Sequence, residues 1–258
     1  MPDSQDYQNR KASFERMLTV YGRKPVLEVL NDHTLDCHAL HLSDSNRTGG
    51  IVTEIQQKAE QRHIPIRVHA RAELARISRN GKQDQGVALD VLCPGFQQLD
   101  DFLASTPLRP GRILALDGIT NPQNLGMILR SATAGGIDGI LLPRKGSAAL
   151  GPLVIKASAG TVYRAPILLC DELPQALRRC RELGAIICTL DADATDSLFE
   201  QRNKGLWVYV LGNETNGVGQ EARALSDKRL AIPMHNGVES LNVAVTASLI
   251  AFSTYLDR

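Results

Sequence analysis

The sequence has few aromatic residues and no excess of either charge. Five Phe, five Tyr and one Trp make up only 4% of its 258 residues, which counts against a platform on which successive bases stack. The 29 basic side chains face 28 acidic ones, for a net charge of +1, and the balance is flat along the chain, 13 to 14 over residues 1–106 and 16 to 14 over 107–258. No overall electrostatic pull toward nucleic acid or a membrane surface follows from this. The five cysteines, Cys37, Cys93, Cys170, Cys180 and Cys188, form no C-x-x-C pair, which fits a reducing compartment where thiols serve as small core residues. The longest apolar stretch, Leu241 to Phe252, carries Asn242, Thr246 and Ser248 and is too short to span a bilayer. The opening Met1-Pro-Asp-Ser-Gln-Asp-Tyr7 is polar, reads as a loose tail and shows no basic-then-apolar leader. These features predict a neutral, cytoplasmic, globular protein of about two domains, with no membrane partner.

What is present has a clear rhythm. Residues 1–20 read as a flexible tail and 21–93 as a small α/β unit. Within that unit, Pro25 opens a helix, Cys37–Leu42 alternates as a half-buried strand, and Ile51–Gln61 has helical spacing. Ile64–Val68 and Val87–Leu92 read as strands. Residues 94–110, with Pro94-Gly95 and Pro107-Leu-Arg-Pro-Gly111 flanking a short acidic helix around Leu99–Ala104, read as a linker. Over residues 111–258 short apolar runs at Ile113–Leu116, Gly139–Leu142, Ala185–Thr189, Trp207–Leu211 and Arg229–Ile232 alternate with helical stretches. This predicts a mostly parallel α/β sheet covered on both faces.

Three blocks in the second region carry candidate chemistry. In Leu116-Asp-Gly-Ile-Thr-Asn-Pro-Gln-Asn-Leu-Gly-Met-Ile-Leu-Arg130 a strand ends and Asn121-Pro122 caps a helix. Asn124 and Arg130 lie off its apolar stripe, about 120° apart around the axis. They meet one site only if Asn124 sits at the helix mouth and Arg130 reaches along the surface. In Leu211-Gly-Asn-Glu-Thr-Asn-Gly217 a strand runs into a loop whose glycines let a ligand approach the backbone. It is neither a dinucleotide fingerprint nor a P-loop, and Glu214 argues against a phosphate and for a neutral or cationic ligand. In Ile232-Pro-Met-His-Asn-Gly-Val-Glu-Ser-Leu-Asn-Val243 a strand leads through a polar loop to Ser240 or Asn242, either of which caps a helix that is apolar nearly all round, as a buried one would be.

Taken together, Asn124 and Arg130, Gly212-Asn-Glu214 with Gly217, and Pro233-Met with Ser240-Leu-Asn-Val243 resemble the three signature motifs of the SpoU/TrmH family of RNA ribose 2′-O-methyltransferases, in the SPOUT superfamily. Lys156-Ala-Ser-Ala-Gly160 is similar to the segment that joins the first motif to the second. Gly22-Arg-Lys-Pro-Val26 and Gln85-Gly-Val-Ala88 resemble the substrate-binding domain that many members carry. The resemblance implies a SPOUT methyltransferase domain over 111–258 with a C-terminal trefoil knot, an RNA substrate-binding domain over 21–93, S-adenosylmethionine as cofactor and a homodimer. It further implies catalytic roles for Arg130, Asn124, Glu214, Ser240 and Asn242. Cofactor contacts would come from Leu211, Gly212, Asn213, Glu214, Gly217, Ile232, Met234, Ser240, Leu241 and Val243.

The implied substrate raises the basic pairs Arg23-Lys24 and Arg144-Lys145 from solvated surface to candidate RNA contacts. His33, Cys37, His38 and His41 have metal-like spacing, but strand alternation divides them between two faces, so no metal is expected. The expected activity is 2′-O-methylation of a structured RNA, rRNA favoured over tRNA because a separate recognition domain suits a site read by shape. The alternatives are a tRNA ribose 2′-O-methyltransferase and an RNA-binding protein of the same fold without methyl transfer. An oxidoreductase fails for want of a glycine fingerprint.

Overall fold

A computed structural model describes residues 15–47, 49–105, 110–201 and 204–255. The chain divides into two compact units, one running to Pro94 and including Leu150–Pro152, the other made of Gly95–Ala149 and the chain from Leu153 onward.

The first unit is a four-stranded sheet in the order β1-β4-β2-β3, from β1 (Met17–Tyr21), β2 (Asp36–Ser43), β3 (Ile66–His69) and β4 (Val87–Leu92). β4 pairs antiparallel with β1 and β2, and β3 pairs parallel with β2. The helices are α1 (Arg23–Asn31), α2 (Gly50–Gln61) and α3 (Arg71–Ser78). β1 begins inside the stretch read as a tail. Its alternation buries Leu18 and Val20, a period too short to stand out without β4 beside it. Residues 1–14 of that tail lie outside the described residues.

β2 departs from simple alternation. A register shift between Cys37 and Ala39 is a bulge, and from Ala39 to Ser43 every residue is buried, so the strand is not half-exposed as expected. His41 is thereby turned into the unit, with Nε2 3.0 Å from Asp90 Oδ2 and Nδ1 2.9 Å from His69 Nε2. Thr19 Oγ1 donates to the other Asp90 oxygen at 2.7 Å. Burial pushes the Asp90 carboxyl up, but the hydrogen bonds from His41 and Thr19 outweigh it and hold the group below the ordinary carboxylate range.

The second unit is an eight-stranded sheet in the order β10-β12-β9-β11-β6-β7-β8-β5. Its strands are β5 (Gln97–Gln98), β6 (Gly111–Asp117), β7 (Gly139–Pro143), β8 (Ile167–Cys170), β9 (Ile186–Leu190), β10 (Asp196–Ser197), β11 (Leu206–Gly212) and β12 (Lys228–Ala231). Every pairing among these described strands is parallel. Ile113–Leu116 and Val208–Val210 are almost wholly buried, as strands covered on both faces must be. The stretch read as a linker is part of this unit: β5 pairs with β8, and Leu99 and Phe102 of α4 (Leu99–Ser105) enter the core. Residues 106–109 lie outside the described residues.

The remaining helices are α5 (Pro122–Ala134), α6 (Pro152–Ala157), α7 (Leu173–Glu182), α8 (Gln220–Ala224) and α9 (Val243–Phe252). α5 and α9 lie side by side and parallel. Their C-terminal ends meet where a Cβ on Gly135 would stand 2.6 Å from the Ala251 Cβ. Buried Arg112 of β6 gathers these ends: Nη1 donates to Ile250 O at 2.9 Å and Ala251 O at 3.0 Å, and Nη2 to Gly135 O at 3.1 Å. α9 is not buried all round as expected, since Val245 is 47% and Phe252 41% exposed.

All five cysteines are free thiols. Burial pushes Cys93, Cys170, Cys180 and Cys188 up to about 12, which leaves them inert packing groups. Among the described residues no helix is long and apolar enough to cross a membrane.

The Asp90 network makes stability acid-sensitive. With the folded value below the unfolded one, its contribution is complete above about pH 4 and fades as the pH falls through the depressed folded value. Asp90→Asn is expected to cost about 1–3 kcal/mol at pH 7. The gap to the wild type should close as pH drops below about 4, measured as urea midpoints across a pH series.

Candidate active site

β6 and β11 are neighbours from opposite halves of the second unit: β7 and β8 extend the sheet on one side of them, β9 and β12 on the other. In an open parallel sheet, such a switch in strand order leaves a crevice beyond the carboxyl ends. The three sequence blocks follow β6, β11 and β12, whose ends share that edge.

The first block folds as its caps dictate. Asn121 is the N-cap of α5, its Oδ1 accepting from Gln123 N at 2.8 Å and Asn124 N at 3.4 Å, and Pro122 takes the first helical position. Asn124 therefore sits in the first turn and is 7% exposed. In the third block Asn242, not Ser240, caps α9: its Oδ1 accepts from Ala244 N at 2.8 Å. That bond fixes which way the Asn242 amide faces. Its Nδ2 donates to Asn124 Oδ1 at 3.1 Å, which turns the Asn124 Nδ2 toward Glu214, where it donates to Oε1. Three residues from three separated segments thus form one directed chain of hydrogen bonds.

The second block holds Glu214 in place through its backbone. Asn213 Oδ1 accepts from Thr215 N at 2.9 Å and Asn216 N at 2.7 Å, and Gly217 N donates to Asn213 O at 2.9 Å. The loop closes so tightly that a Cβ on Gly212 would lie 2.0 Å from the Gly217 carbonyl carbon. Gly217 adopts φ +63°, in the left-handed region that favours glycine. Asp117, at the end of β6, accepts from Gly219 N at 2.7 Å and ties the far side of the loop to the neighbouring strand. Sequence reasoning passed over Asp117; its place directly after an apolar run and before Gly118 was the only signal.

The other candidates stand apart from this chain. Arg130, two turns along α5, is exposed and has no hydrogen-bond or ion-pair partner among the described residues. Ser240 is exposed, Leu241 half-buried, and Val243 buried in the first turn of α9. Leu211 is buried at the end of β11, while Ile232 and Met234 are half-buried just beyond β12. Lys156–Gly160 packs against the helix of the first block at Gly126, where a Cβ would meet the Ala157 Cβ at 2.5 Å. Arg144 follows β7, its Nε 3.4 Å from Asp171 Oδ1 and its Nη2 donating to Gln98 Oε1 at 3.2 Å, and Lys145 beside it is exposed. Arg23 and Lys24 open α1 in the first unit. The His33–His41 cluster does not assemble either, His41 being taken up by Asp90 and His69.

Gly212→Ala tests the loop, because the atoms in its way are backbone and cannot yield. The Gly217 and Gly219 amides should exchange with solvent at least about tenfold faster as their bonds to Asn213 and Asp117 are lost. The β6 and β11 amides should keep their protection, read by hydrogen exchange with mass spectrometry.

Residues 111–252, more than half of the chain, match the SpoU rRNA methylase family, and residues 19–92 match the family described as RNA 2′-O ribose methyltransferase substrate binding. A protein of Mycolicibacterium vanbaalenii named as an uncharacterised tRNA/rRNA methyltransferase is 34% identical over 90% of this chain and 74% of its own length. One of Mycobacterium marinum, named likewise, is 33% identical over the same shares. The fold is shared with the SpoU methyltransferase AviRb of Streptomyces viridochromogenes, solved in complex with AdoMet, at TM-score 0.63 and 20% identity over 99% of this chain and 94% of that one. It is shared also with the AdoMet-bound rRNA methyltransferase of Sinorhizobium meliloti, at TM-score 0.64 and 20% identity over 98% and 91%. By the family match and by relatives of this identity across most of its length, the chain belongs to the SpoU rRNA methylase family.

Proposed function

We propose that this enzyme moves a methyl group from S-adenosylmethionine to a ribose 2′-hydroxyl of a structured RNA, ribosomal RNA in preference to tRNA. The observation that carries the reading is the chain Asn242–Asn124–Glu214 over the ends of β6 and β11. The substrate-binding domain matched over residues 19–92 supports RNA, and a recognition domain separate from the catalytic one favours a site read by shape.

The residues present suit the cofactor. The loop from Leu211 to Gly217 offers backbone donors and acceptors with no side chain at Gly212 or Gly217. Glu214 brings a carboxylate that favours a cation and repels a phosphate. Asn213, Ile232, Met234, Ser240, Leu241 and Val243 complete the cofactor contacts in this reading. S-adenosylmethionine supplies a methyl group activated by the positive charge on its sulfur. The chain's task is then to hold the 2′-oxygen in line behind that methyl, and much of the rate comes from this positioning. Asn124, Glu214, Ser240 and Asn242 support the arrangement, with one Glu214 oxygen already fixed by Asn124.

Arg130 is the central catalytic residue of this proposal. A guanidinium scarcely deprotonates in a protein, so its role is to clamp an RNA phosphate through its fork and favour the developing 2′-alkoxide. Arg144 and Lys145 add phosphate contacts along the same sheet edge. The exposed apolar side chains of Met127, Val245, Phe252 and Tyr255 on α5, α9 and the turn after it support a homodimer built on this face. The return of α9 onto α5 supports a trefoil knot near the C-terminus. An RNA-modifying enzyme of this kind belongs in the cytoplasm.

Calorimetry should show S-adenosylmethionine binding to the wild type and to Arg130→Lys with the same affinity, while turnover of the variant falls about 100-fold. Near-wild-type turnover would remove the bidentate clamp, and no cofactor binding by the wild type would leave an RNA-binding protein without methyl transfer. Mapping 2′-O-methyl sites in RNA from a deletion strain against its parent identifies the substrate. For the dimer, Phe252→Glu is expected to sediment as a monomer, and a variant that stays dimeric removes this face as the interface.

A further inference from the structure

The two motifs of the first unit, 62 residues apart, fold into one junction. Gly22 N donates to Val87 O at 3.0 Å, Arg23 N to Gln85 Oε1 at 3.0 Å and Arg23 Nε to Gln85 O at 3.2 Å. The junction opens onto a cleft of about 500 Å³ lined by Arg23, Ser45, Asn46, Arg71, Gln85 and Gly86. Among the described residues no carboxylate and no aromatic ring lines its wall.

Beneath the cleft lies Asp84, fully buried. An unpaired carboxylate there would be very costly, and Asp84 is instead saturated. Its Oδ1 accepts from Arg71 Nη1 at 2.5 Å and Gly86 N at 2.9 Å, and its Oδ2 from Ser78 Oγ at 2.8 Å. Arg71 Nη2 also donates to Gly81 O at 2.5 Å. Two of the five guanidinium N–H groups are thus turned inward, which aims the rest of a half-exposed fork into the cleft. Gln85 at φ +53° and Gly86 at φ +78° bend the opposite wall, where Asn46 Nδ2 donates to Gly86 O at 2.7 Å. Arg23 keeps both terminal nitrogens free among the described residues.

We propose that this cleft seats one phosphodiester of the substrate RNA between Arg71 and Arg23, with Asp84 as the positioning residue that presets Arg71. The proposal rests on the reading of the protein as an RNA methyltransferase. Two arginine forks in one hollow suit a group with several acceptor oxygens and a negative charge. The seat fixes the register of the RNA and reads no base. An adjoining cleft shares Arg23 and Gln85 and carries Lys24 and Lys82, which continues the track along the strand. The sequence pattern singled out Arg23 and Lys24 as candidates but not Arg71, whose proposed role depends on a carboxylate 13 residues away.

The test uses the full chain and a fluorescein-labelled RNA stem-loop, with binding followed by anisotropy over a potassium chloride series. Arg71→Ala should weaken binding and reduce the slope of log K against log salt by about 0.7–0.9, the share of one phosphate contact. Because that change strands Asp84, the double variant R71A/D84N, in which a neutral amide keeps partners for Ser78 and Gly86, should show the same loss with a normal melting temperature. Arg76→Ala removes a charge from the same helix outside the cleft and should leave the slope unchanged. An unchanged slope in both Arg71 variants, or an equal drop in Arg76→Ala, overturns the seat. Calorimetry with S-adenosylmethionine separates this from failure of the wider reading: wild type that binds cofactor and methylates RNA while the Arg71 variants bind RNA normally refutes the seat alone.

Discussion

The parallel pairing of α5 with α9 is the constraint on which the second unit's chemistry depends. Two helices side by side in the same direction bring like ends of their dipoles together, which is unfavourable unless both ends are compensated. Arg112 compensates one end: a single buried guanidinium donates to carbonyls of both helices, placing a positive charge where two negative ends converge. Gly135 lets the two backbones approach closely enough for one side chain to reach both. The other ends converge on Asn124 and Asn242, with the Glu214 carboxylate beside them. The helix pair is thus polarised along its length, with a cation at the back and an anion at the front.

That polarity has chemical use. Two positive helix ends favour negative charge placed before them, while the Glu214 carboxylate beside them favours a cation. The amides between are not interchangeable spacers. Because the cap bond to Ala244 sets the orientation of Asn242, every donor and acceptor along the chain to Glu214 is determined by the start of α9. A local rule of helix capping therefore reaches across three segments to a carboxylate in a loop.

Much of this was legible in the sequence, and the failures have particular causes. Five of the parallel strands announced themselves as apolar runs, though β8 did not, and Asn121-Pro122 located the start of α5 closely. β1 and β5 went unread because each is short and is held by a partner far along the chain, β4 and β8 respectively. The burial of His41 went unread because β2 is covered on both faces beyond the bulge at His38, which an alternating pattern over Cys37–Leu42 does not show. At the candidate site, residue types and order pointed to Asn124, Glu214 and Asn242, which the structure joins by hydrogen bonds. Ser240 and Asn242 offer the same cap chemistry two residues apart, so the pattern leaves both open, while the tie from Asp117 to Gly219 and the clamp by Arg112 are long-range hydrogen bonds that no local pattern encodes.

The place of α9 in the chain has a consequence for how the molecule is made. All the described strands of the sheet precede it, and β6 pairs with β11, about 95 positions later, so the sheet itself can close only after most of the chain has been synthesised. Even then the crevice beyond β6 and β11 lacks Asn242, and Arg112 lacks two of its three carbonyls. A nascent chain still awaiting α9 has a nearly complete sheet and an unfinished site. Ribosomes that stall before this helix emerges would release molecules with the core of the fold but without the hydrogen bonds that join Asn242, Asn124 and Glu214.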